Sequence, residues 1–249
     1  MSPQKQFNRE GEQEIQAQGA DQALRRAARQ FFDHANARKY SYHFEWMGRP
    51  IIQYPQDIMA MQELIWKVQP DLIIETGIAH GGSLIFSAAM LELNAACGGP
   101  AAASVLGIDI DIRPHNRDAI LSHPMSKRIQ MIQGSSIDPA TAAQVKAVAA
   151  GKQRVLVCLD SNHTHDHVAA ELAAYAELAT VGSYCVVFDT VIEDMAADQF
   201  PNRPWGPGNS PKTAVHAFLR ENPGFEIDHR IDHKLLVSVA PEGFLKRVR

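Results

Sequence analysis

Two aspartates stand directly after apolar runs in the second half of the chain. Asp160 follows residues 155–159, and Asp189 follows residues 184–188. An acid at the end of a buried run is costly unless it binds a cation or joins a hydrogen-bond network. Because carboxylate oxygens are ligands that Mg²⁺ prefers, the two acids indicate a divalent metal site. The alternative is that both aspartates merely cap helices or meet solvent.

The third ligand of such a site is open from the sequence. Thr190 directly follows Asp189 and could bind the ion or hold a water molecule on it. Glu193 and Asp194 are further candidates, although their positions in the sequence are less favourable. The sequence therefore proposes Asp160, Asp189 and Thr190 as metal ligands.

Three histidines follow the first of these acids in the run Ser-Asn-His-Thr-His-Asp-His. His163 lies in the turn after the strand and can face the crevice, where an imidazole is suited to act as a general base. His165 and His167 would point in different directions on the helix that follows, so a shared zinc ion is not indicated. His163 is therefore a candidate base, with a structural or solvated histidine as the alternative, and the other two histidines are left without a role.

A glycine-rich turn follows the first apolar run, in the sequence Glu-Thr-Gly-Ile-Ala-His-Gly-Gly-Ser over residues 75–83. Gly77 permits a sharp turn, Gly81 lets the backbone approach a ligand, and Ser83 can cap the next helix. Ala79 stands where a dinucleotide-binding motif has its second glycine, which weakens that interpretation. Asp109 ends the next apolar run and can accept hydrogen bonds from ribose hydroxyls. The alternative is a tight strand-to-helix turn and a solvated acid.

Apolar runs alternate with helical patterns from residue 71 onward, which predicts the elements that must position these residues. The runs lack polar alternation, as expected for parallel strands covered by helices on both faces. The fold class is therefore α/β, with a doubly wound and mostly parallel sheet. Two last runs, 225–230 and 234–240, predict an antiparallel C-terminal hairpin. The expected strands are residues 72–75, 104–109, 128–133, 154–160 and 183–189.

The N-terminal part has a different character. Residues 1–20 are rich in Gln and Glu, so we expect a loose arm. Helices are predicted at 20–37 and at 58–69, the latter capped by Asp57. We divide the chain into an N-terminal helical extension with an aromatic segment, residues 1–50, and an α/β domain, residues 51–249. A Pro/Gly-rich loop at 198–211, with Trp205, is long enough to act as a lid.

Composition excludes several classes of protein. Twenty-four Lys and Arg against 28 Asp and Glu give a net charge of −4, which argues against nucleic-acid binding. No apolar run approaches the roughly 20 residues of a membrane span. The polar N-terminus resembles no signal peptide. Three cysteines form no paired framework, so we expect a cytoplasmic protein.

Several longer motifs, in the same order, carry a resemblance to the cephalosporin hydroxylase family. It spans residues 42–245, and its motifs are residues 46–57, 75–83, 107–111, 159–165, 187–190 and 207–213. The resemblance implies a Rossmann-like methyltransferase fold, similar to Mg²⁺-dependent catechol and macrolide-sugar O-methyltransferases. It also implies S-adenosylmethionine and Mg²⁺ as cofactors and a hydroxyl of a sugar or small molecule as acceptor. We further expect a homo-oligomer, in which the predicted helix 20–37 offers a dimer contact.

The resemblance also implies site residues by position. Asp109 would bind the ribose, Asp160 and Asp189 match metal acids, and Thr190 replaces an Asp or Asn. His163 falls at the position of the general base, so the resemblance implies His163 and Asp160 as the catalytic residues. The methionine part of the cofactor would be lined by Glu75, Gly77, Ala79, Gly81 and Ser83. Ser135 and Ser136 would lie near its adenine.

Other functions compete with a methyltransferase. The family name implies a non-haem iron oxygenase, and His43-Phe-Glu45 is the only His-x-carboxylate spacing that would suit one. A non-catalytic domain that keeps the cofactor pocket and an NAD enzyme are the remaining alternatives. The sequence does not specify the acceptor, and it leaves the roles of Trp205 and Lys212 open.

Overall fold

A computed structural model describes residues 2–249, in which helices and strands alternate through most of the chain. The strands are β1 Glu45–Trp46, β2 Arg49–Pro50, β3 Leu72–Thr76, β4 Ser104–Asp109, β5 Ile129–Gln133, β6 Val155–Leu159, β7 Tyr184–Val187, β8 Phe225–Ile227 and β9 Phe244–Arg247. The helices are α1 Pro3–Ala20, α2 Gln22–Asn36, α3 Pro55–Val68, α4 Gly82–Ala96, α5 Pro114–Leu121, α6 Pro139–Ala149, α7 His165–Tyr175, α8 Pro211–Glu221 and α9 His229–Leu235.

Seven strands form the central sheet, in the order β5-β4-β3-β6-β7-β9-β8. The first five pair in parallel, and β9 is antiparallel to both of its neighbours. Every residue of β3, β6 and β7 is buried, because helices cover both faces. Alternate residues of β3 enter different core clusters, Ile73 on one face and Leu72 and Ile74 on the other. The predicted α/β fold with a mostly parallel, Rossmann-like sheet is confirmed.

The prediction of a loose N-terminal arm is wrong. Residues 3–20 form α1, whose first turn is capped by Ser2, since the Ser2 hydroxyl accepts a hydrogen bond from the Lys5 amide. The helix lies on α9, where the Gln18 side chain donates to the His233 carbonyl at 2.7 Å. Gln and Glu are good helix formers, so a composition that indicates disorder also permits a helix once it has a docking surface.

The predicted cap of α3 is also wrong. The helix begins at Pro55 rather than at residue 58, and Asp57 lies inside its first turn. The Asp57 side chain is fully buried and accepts hydrogen bonds from the Ser238 hydroxyl at 2.6 Å and the Val239 amide at 3.0 Å. This aspartate therefore ties α3 to a distant segment instead of capping its own helix.

The antiparallel edge of the sheet is confirmed, but its second strand is not where the sequence placed it. Residues 229–235 form α9, and the strand that pairs with β8 is β9 at 244–247. The predicted strand 234–240 falls on the end of α9 and on the segment that follows it. We call residues 237–243 the C-terminal strap, since the carbonyls of Val239, Pro241 and Gly243 accept hydrogen bonds from the end of β7 and the residues after it.

The proposed boundary at residue 50 remains a prediction, and Met1 lies outside the described residues. The Phe32 ring of α2 stacks on Tyr54 across this boundary, with ring centroids 5.3 Å apart.

None of the helices in the described part of the chain is long and apolar enough to cross a membrane.

Candidate active site

The glycine turn lies against the end of the neighbouring strand. Gly77 has a φ of +89°, and a Cβ atom there would lie 2.0 Å from the Asp160 carbonyl oxygen. The register of β3 with β6 causes this close approach, since the Asp160 amide donates to the Thr76 carbonyl at 3.0 Å. Only glycine has both the conformation and the space for this position. The turn and the first candidate metal ligand are therefore built as one unit.

Side chains from three other elements fix the turn. Asp109 accepts hydrogen bonds from the Ile78 and Ala79 amides through Oδ2, at 2.8 and 3.3 Å. The Arg49 guanidinium donates to the His80 carbonyl at 3.0 Å through Nε. Asn116 donates to the Ala79 carbonyl and accepts from Arg49. The sequence predicted Asp109 as a ribose ligand and gave no sign of this bracing role.

A buried carboxylate lies beneath the turn. Glu75 is only 5% exposed, and it accepts a hydrogen bond from the Ser83 hydroxyl. Burial raises the pKa of Glu75 to about 7, while the Ser83 hydrogen bond lowers it in part. The expectation that Ser83 caps α4 is wrong, because Gly81 occupies the cap position and Ser83 turns inward to Glu75.

Three side chains meet at the carboxyl ends of β6 and β7. One ligand atom each from Asp160, His163 and Asp189 lies within 4.8 Å of the others. His163 Nε2 is 3.3 Å from Asp189 Oδ2. The two acids come together because β6 and β7 pair in parallel. Asp189 itself has a φ of +55°, which turns the chain sharply after the strand.

The electrostatics of this cluster suit a divalent cation. Burial, followed by the nearby Asp189 carboxylate, raises the pKa of Asp160 well above its usual range. A bound cation would relieve the repulsion between the two carboxylates and supply the charge that burial removes. Two such carboxylates form a donor set that holds these ions in proteins, and His163 lies beside them.

The other predicted metal candidates each have a hydrogen-bond or ion-pair partner within the chain. Thr190 is fully buried, and its hydroxyl donates to the Pro241 carbonyl of the C-terminal strap at 2.7 Å. Glu193 accepts from the Gly208 amide and the Ser210 hydroxyl. Asp194 pairs with Lys212 at 2.5 Å. Ligation by Thr190 stays a prediction.

Comparison with known proteins identifies the family. The family model described as Rhamnosyl O-methyltransferase/CmcI matches residues 38–248. The chain belongs to this family. The predicted resemblance is thereby confirmed, and so is the predicted enzyme class, an O-methyltransferase.

Relatives and solved structures agree with this assignment. The chain is 33% identical over 208 residues to a Rhamnosyl O-methyltransferase of Mycobacterium leprae (strain TN), covering 81% of this chain and 82% of the relative. It is 31% identical over 210 residues to that of Mycobacterium tuberculosis (strain ATCC 25618 / H37Rv), covering 81% and 77%.

A structure of CmcI with Mg and SAM matches with a TM-score of 0.59 and 19% identity, over 84% of this chain and 78% of CmcI. An O-methyltransferase from Bacillus cereus in complex with SAH gives a TM-score of 0.52 and 15% identity, over 83% and 82%. These two structures show that the methyltransferase shares their fold.

The oxygenase alternative is not favoured in this family member. Within residues 2–249, the group of three side chains that could hold a metal ion includes neither His43 nor Glu45. Both residues lie in the aromatic segment before β2, outside the central sheet.

A tryptophan packs beside the cluster of Asp160, His163 and Asp189. The Trp205 ring meets His163 edge-on, with centroids 4.9 Å apart, and the Arg203 guanidinium lies over the Trp205 ring. Asn209 holds this loop in place, since it accepts from the His165 amide and donates to the Pro204 carbonyl.

Sequence reasoning missed a polar network beside this site. Ser136 is buried, and its hydroxyl lies 3.1 Å from His167 Nε2. The same nitrogen lies 3.1 Å from the Ser161 hydroxyl, which donates to the fully buried Glu171. Ser135, the other predicted adenine neighbour, is half-buried just before Ser136. No local pattern could have revealed the network, because it joins the ends of two strands to one helix.

Proposed function

We propose that this protein is an S-adenosylmethionine-dependent O-methyltransferase that uses a divalent metal ion and methylates a hydroxyl of a sugar acceptor. The observation that carries the proposal is the cluster of Asp160, His163 and Asp189, beside a turn whose Gly77 touches the Asp160 backbone. The sugar acceptor rests on relatives at 31–33% identity that are named rhamnosyl O-methyltransferases. A deoxyhexose hydroxyl is therefore our first choice.

The two cofactors are assigned to neighbouring places at the carboxyl ends of the parallel strands. Asp160 and Asp189 would hold Mg²⁺, with Thr190 as the predicted third ligand. When bound, S-adenosylmethionine supplies an activated methyl group, and Mg²⁺ lowers the pKa of a hydroxyl that it binds. The residues proposed to contact S-adenosylmethionine surround the glycine turn and the ends of β3 to β5: Glu75, Gly77, Ala79, Gly81, Ser83, Asp109, Ser135 and Ser136.

The residues of the chain contribute alignment and proton transfer. Methyl transfer is an in-line displacement, so a turn fixed by Asp109 and Arg49 favours the reaction by holding the donor in one position. His163 would take the proton of the acceptor hydroxyl as the new carbon–oxygen bond forms and the methyl–sulfur bond of the donor breaks, with S-adenosylhomocysteine as the leaving group. The Asp189 carboxylate, 3.3 Å from Nε2, stabilises the positive charge that His163 then carries. Trp205 shields this proton transfer from bulk water.

A transfer assay tests the proposal. Purified protein is incubated with methyl-labelled S-adenosylmethionine, Mg²⁺ and a panel of hexosides and 6-deoxyhexosides, and products are identified by mass spectrometry. The expected result is a product heavier by one methyl group that forms only with Mg²⁺ present. Tight binding of S-adenosylmethionine by calorimetry without any methylated product would instead favour a non-catalytic cofactor-binding domain.

The oxygenase alternative is tested separately. An oxygenase of that type consumes 2-oxoglutarate in the presence of iron, and a methyltransferase does not. We expect no consumption of 2-oxoglutarate under conditions in which methyl transfer proceeds.

We further propose a cytoplasmic homodimer. Support for the cytoplasm comes from three free cysteines, two of them buried as small apolar side chains. Support for a dimer comes from α2, which leaves Phe31 47% exposed.

A further inference from the structure

A cleft of about 610 Å³ lies between the N-terminal helices and the C-terminal part of the chain. Its walls come from α2 on one side and from α9 and the C-terminal strap on the other. Val191 and Asp194, which follow β7, and Lys212 complete it. Among the described residues that line it, none belongs to the proposed cofactor or metal site. The cleft is therefore a second concave site that methyl transfer leaves unexplained.

One wall of the cleft carries three arginines. Arg29 lies four residues after Arg25 and three after the adjacent Arg26 on α2, so all three arginines border the cleft from this helix. Arg29 pairs with Asp33 at 2.8 Å. Within residues 2–249, no ion pair or hydrogen bond occupies the guanidinium groups of Arg25 and Arg26. Two adjacent unpaired arginines favour an anion with several oxygens, such as a phosphate.

The opposite wall presents an acceptor without a donor. Asp232 is largely buried, and its Oδ1 accepts from the Glu242 amide at 3.1 Å. Its Oδ2 is buried and has no hydrogen-bond partner, and the nearest ring nitrogen, His229 Nδ1, is 3.5 Å away. A buried carboxylate oxygen left in this state favours a ligand that brings an O–H donor.

The floor between these walls is apolar. Phe32, Val191 and Val237 belong to one buried cluster and also line the cleft. Beside them, Lys212 is 7% exposed and pairs with Asp194, so this lysine is already neutralised. An apolar floor between an anion-binding wall and a hydroxyl-binding wall suits a ring that bears both groups.

We propose that this cleft binds a sugar phosphate. The phosphate lies on Arg25 and Arg26, a ring hydroxyl donates to Asp232 Oδ2, and the carbon face of the ring rests on Phe32, Val191 and Val237. The proposal does not depend on methyl transfer, since it concerns a separate set of residues.

Calorimetry of the full chain, without S-adenosylmethionine or metal, tests the proposal with glucose 6-phosphate, glucose and inorganic phosphate as probes. The double variant Arg25→Ala/Arg26→Ala tests the anion wall, and Asp232→Asn tests the hydroxyl wall. Arg9→Ala, an exposed arginine of α1 outside the cleft, is the matched control. Circular dichroism and S-adenosylmethionine affinity confirm that each variant is folded.

We expect one glucose 6-phosphate per chain, bound more tightly than glucose or phosphate. The double arginine variant weakens binding by about tenfold or more, Asp232→Asn weakens it less, and Arg9→Ala leaves it unchanged. The proposal is overturned if glucose 6-phosphate does not bind or if the arginine variants bind it normally. Inorganic phosphate binding as tightly as glucose 6-phosphate would also overturn it. Loss of methyl transfer does not enter this test, so the two proposals fail independently.

Discussion

Gly77 shows how a single residue joins the glycine turn to the cluster of Asp160, His163 and Asp189. A Cβ atom at this position would lie 2.0 Å from the Asp160 carbonyl oxygen, and the backbone has a φ of +89°. Gly98 has nearly the same φ, +90°, but a Cβ atom there would have nothing within 4 Å. Alanine variants at the two positions therefore separate the free-energy cost of backbone strain from the cost of the clash with Asp160.

We therefore predict that Gly77→Ala lowers the free energy of unfolding by about 3 kcal/mol and Gly98→Ala by about 1 kcal/mol. Urea denaturation measures both. Gly77→Ala also displaces Asp160, so its methyl transfer falls, whereas Gly98→Ala keeps full activity. Equal destabilisation by the two variants would mean that the close approach to Asp160 is absent.

Asp57 makes stability depend on pH. Burial raises the pKa of Asp57 to about 7, while hydrogen bonds from Ser238 and Val239 lower it in part and Asp189 raises it further. The unfolded state releases this proton near pH 4, well below the folded state. Stability from Asp57 is therefore complete at low pH and is lost as the pH rises towards 7.

The variant Asp57→Asn tests whether the stability from Asp57 falls as the pH rises. At pH 5 the variant loses about 2 kcal/mol, because the amide nitrogen, unlike the hydroxyl oxygen of the protonated carboxyl, cannot accept a hydrogen bond from Ser238 or Val239. The loss shrinks at pH 8, where the wild type bears the cost of an ionised buried carboxylate. Denaturation at both pH values in the presence of a chelator measures the difference. Ser238→Ala is the control, and its loss varies less with pH. A loss that grows between pH 5 and pH 8 would refute the assignment.

At the level of residues, the sequence predicted types and positions better than contacts. Asp160, His163 and Asp189 were predictable, because each follows a recognisable buried strand. The bracing of the glycine turn by Arg49 and Asn116 was not, since these side chains bond backbone carbonyls more than thirty residues away. Ser83 was misassigned because its local pattern also fits a helix cap.

The loop between β7 and α8 is the element that packs against the cluster of Asp160, His163 and Asp189. Glu193 holds its far end through the Gly208 amide and the Ser210 hydroxyl, and Trp205 packs against His163. The loop thus fixes the position of an aromatic ring beside the proposed base. We interpret the loop as an ordered lid over His163 rather than as a flexible linker.

Trp205→Ala is predicted to lower kcat/KM by about tenfold, because His163 loses the ring that orients it and excludes water. Trp66→Ala is the matched control, since Trp66 is 53% exposed on α3. Stability of the Trp205 variant should stay near that of the wild type. Equal kcat/KM for both variants and the wild type would show that the lid has no part in the reaction.

At the level of elements, strands that are buried on both faces were predictable from their apolar runs, as β6 and β7 show. The C-terminal edge was not predictable. Residues 234–240 have the composition of a strand, but they hydrogen-bond to Asp57 and to the residues after Asp189 instead of to a neighbouring strand. The structure of residues 234–240 is therefore determined by hydrogen-bond partners that are distant in the sequence. The same reason explains α1, whose docking on α9 no local pattern indicates.

On the scale of the whole molecule, the N-terminal helices both close the cleft and offer a surface. α1 is anchored by the Glu12–Arg230 ion pair and by Gln18, and α2 presents Phe31 to solvent. We predict that Phe31→Asp converts the proposed dimer to a monomer, which sedimentation equilibrium measures. Leu121→Asp, at an exposed position of α5, is the control and should leave the mass unchanged. A wild-type protein that is monomeric at all concentrations would refute the proposed dimer.

The central claim is that Asp160 and Asp189 hold a divalent ion beside His163. The most direct measurement is Mg²⁺ affinity by calorimetry, together with methyl transfer, for the wild type, Asp160→Ala and His163→Ala. The account predicts that both variants lose nearly all methyl transfer, that only Asp160→Ala loses Mg²⁺ affinity, and that a chelator stops the wild type. Full turnover of either variant, or of the wild type in chelator, would contradict it.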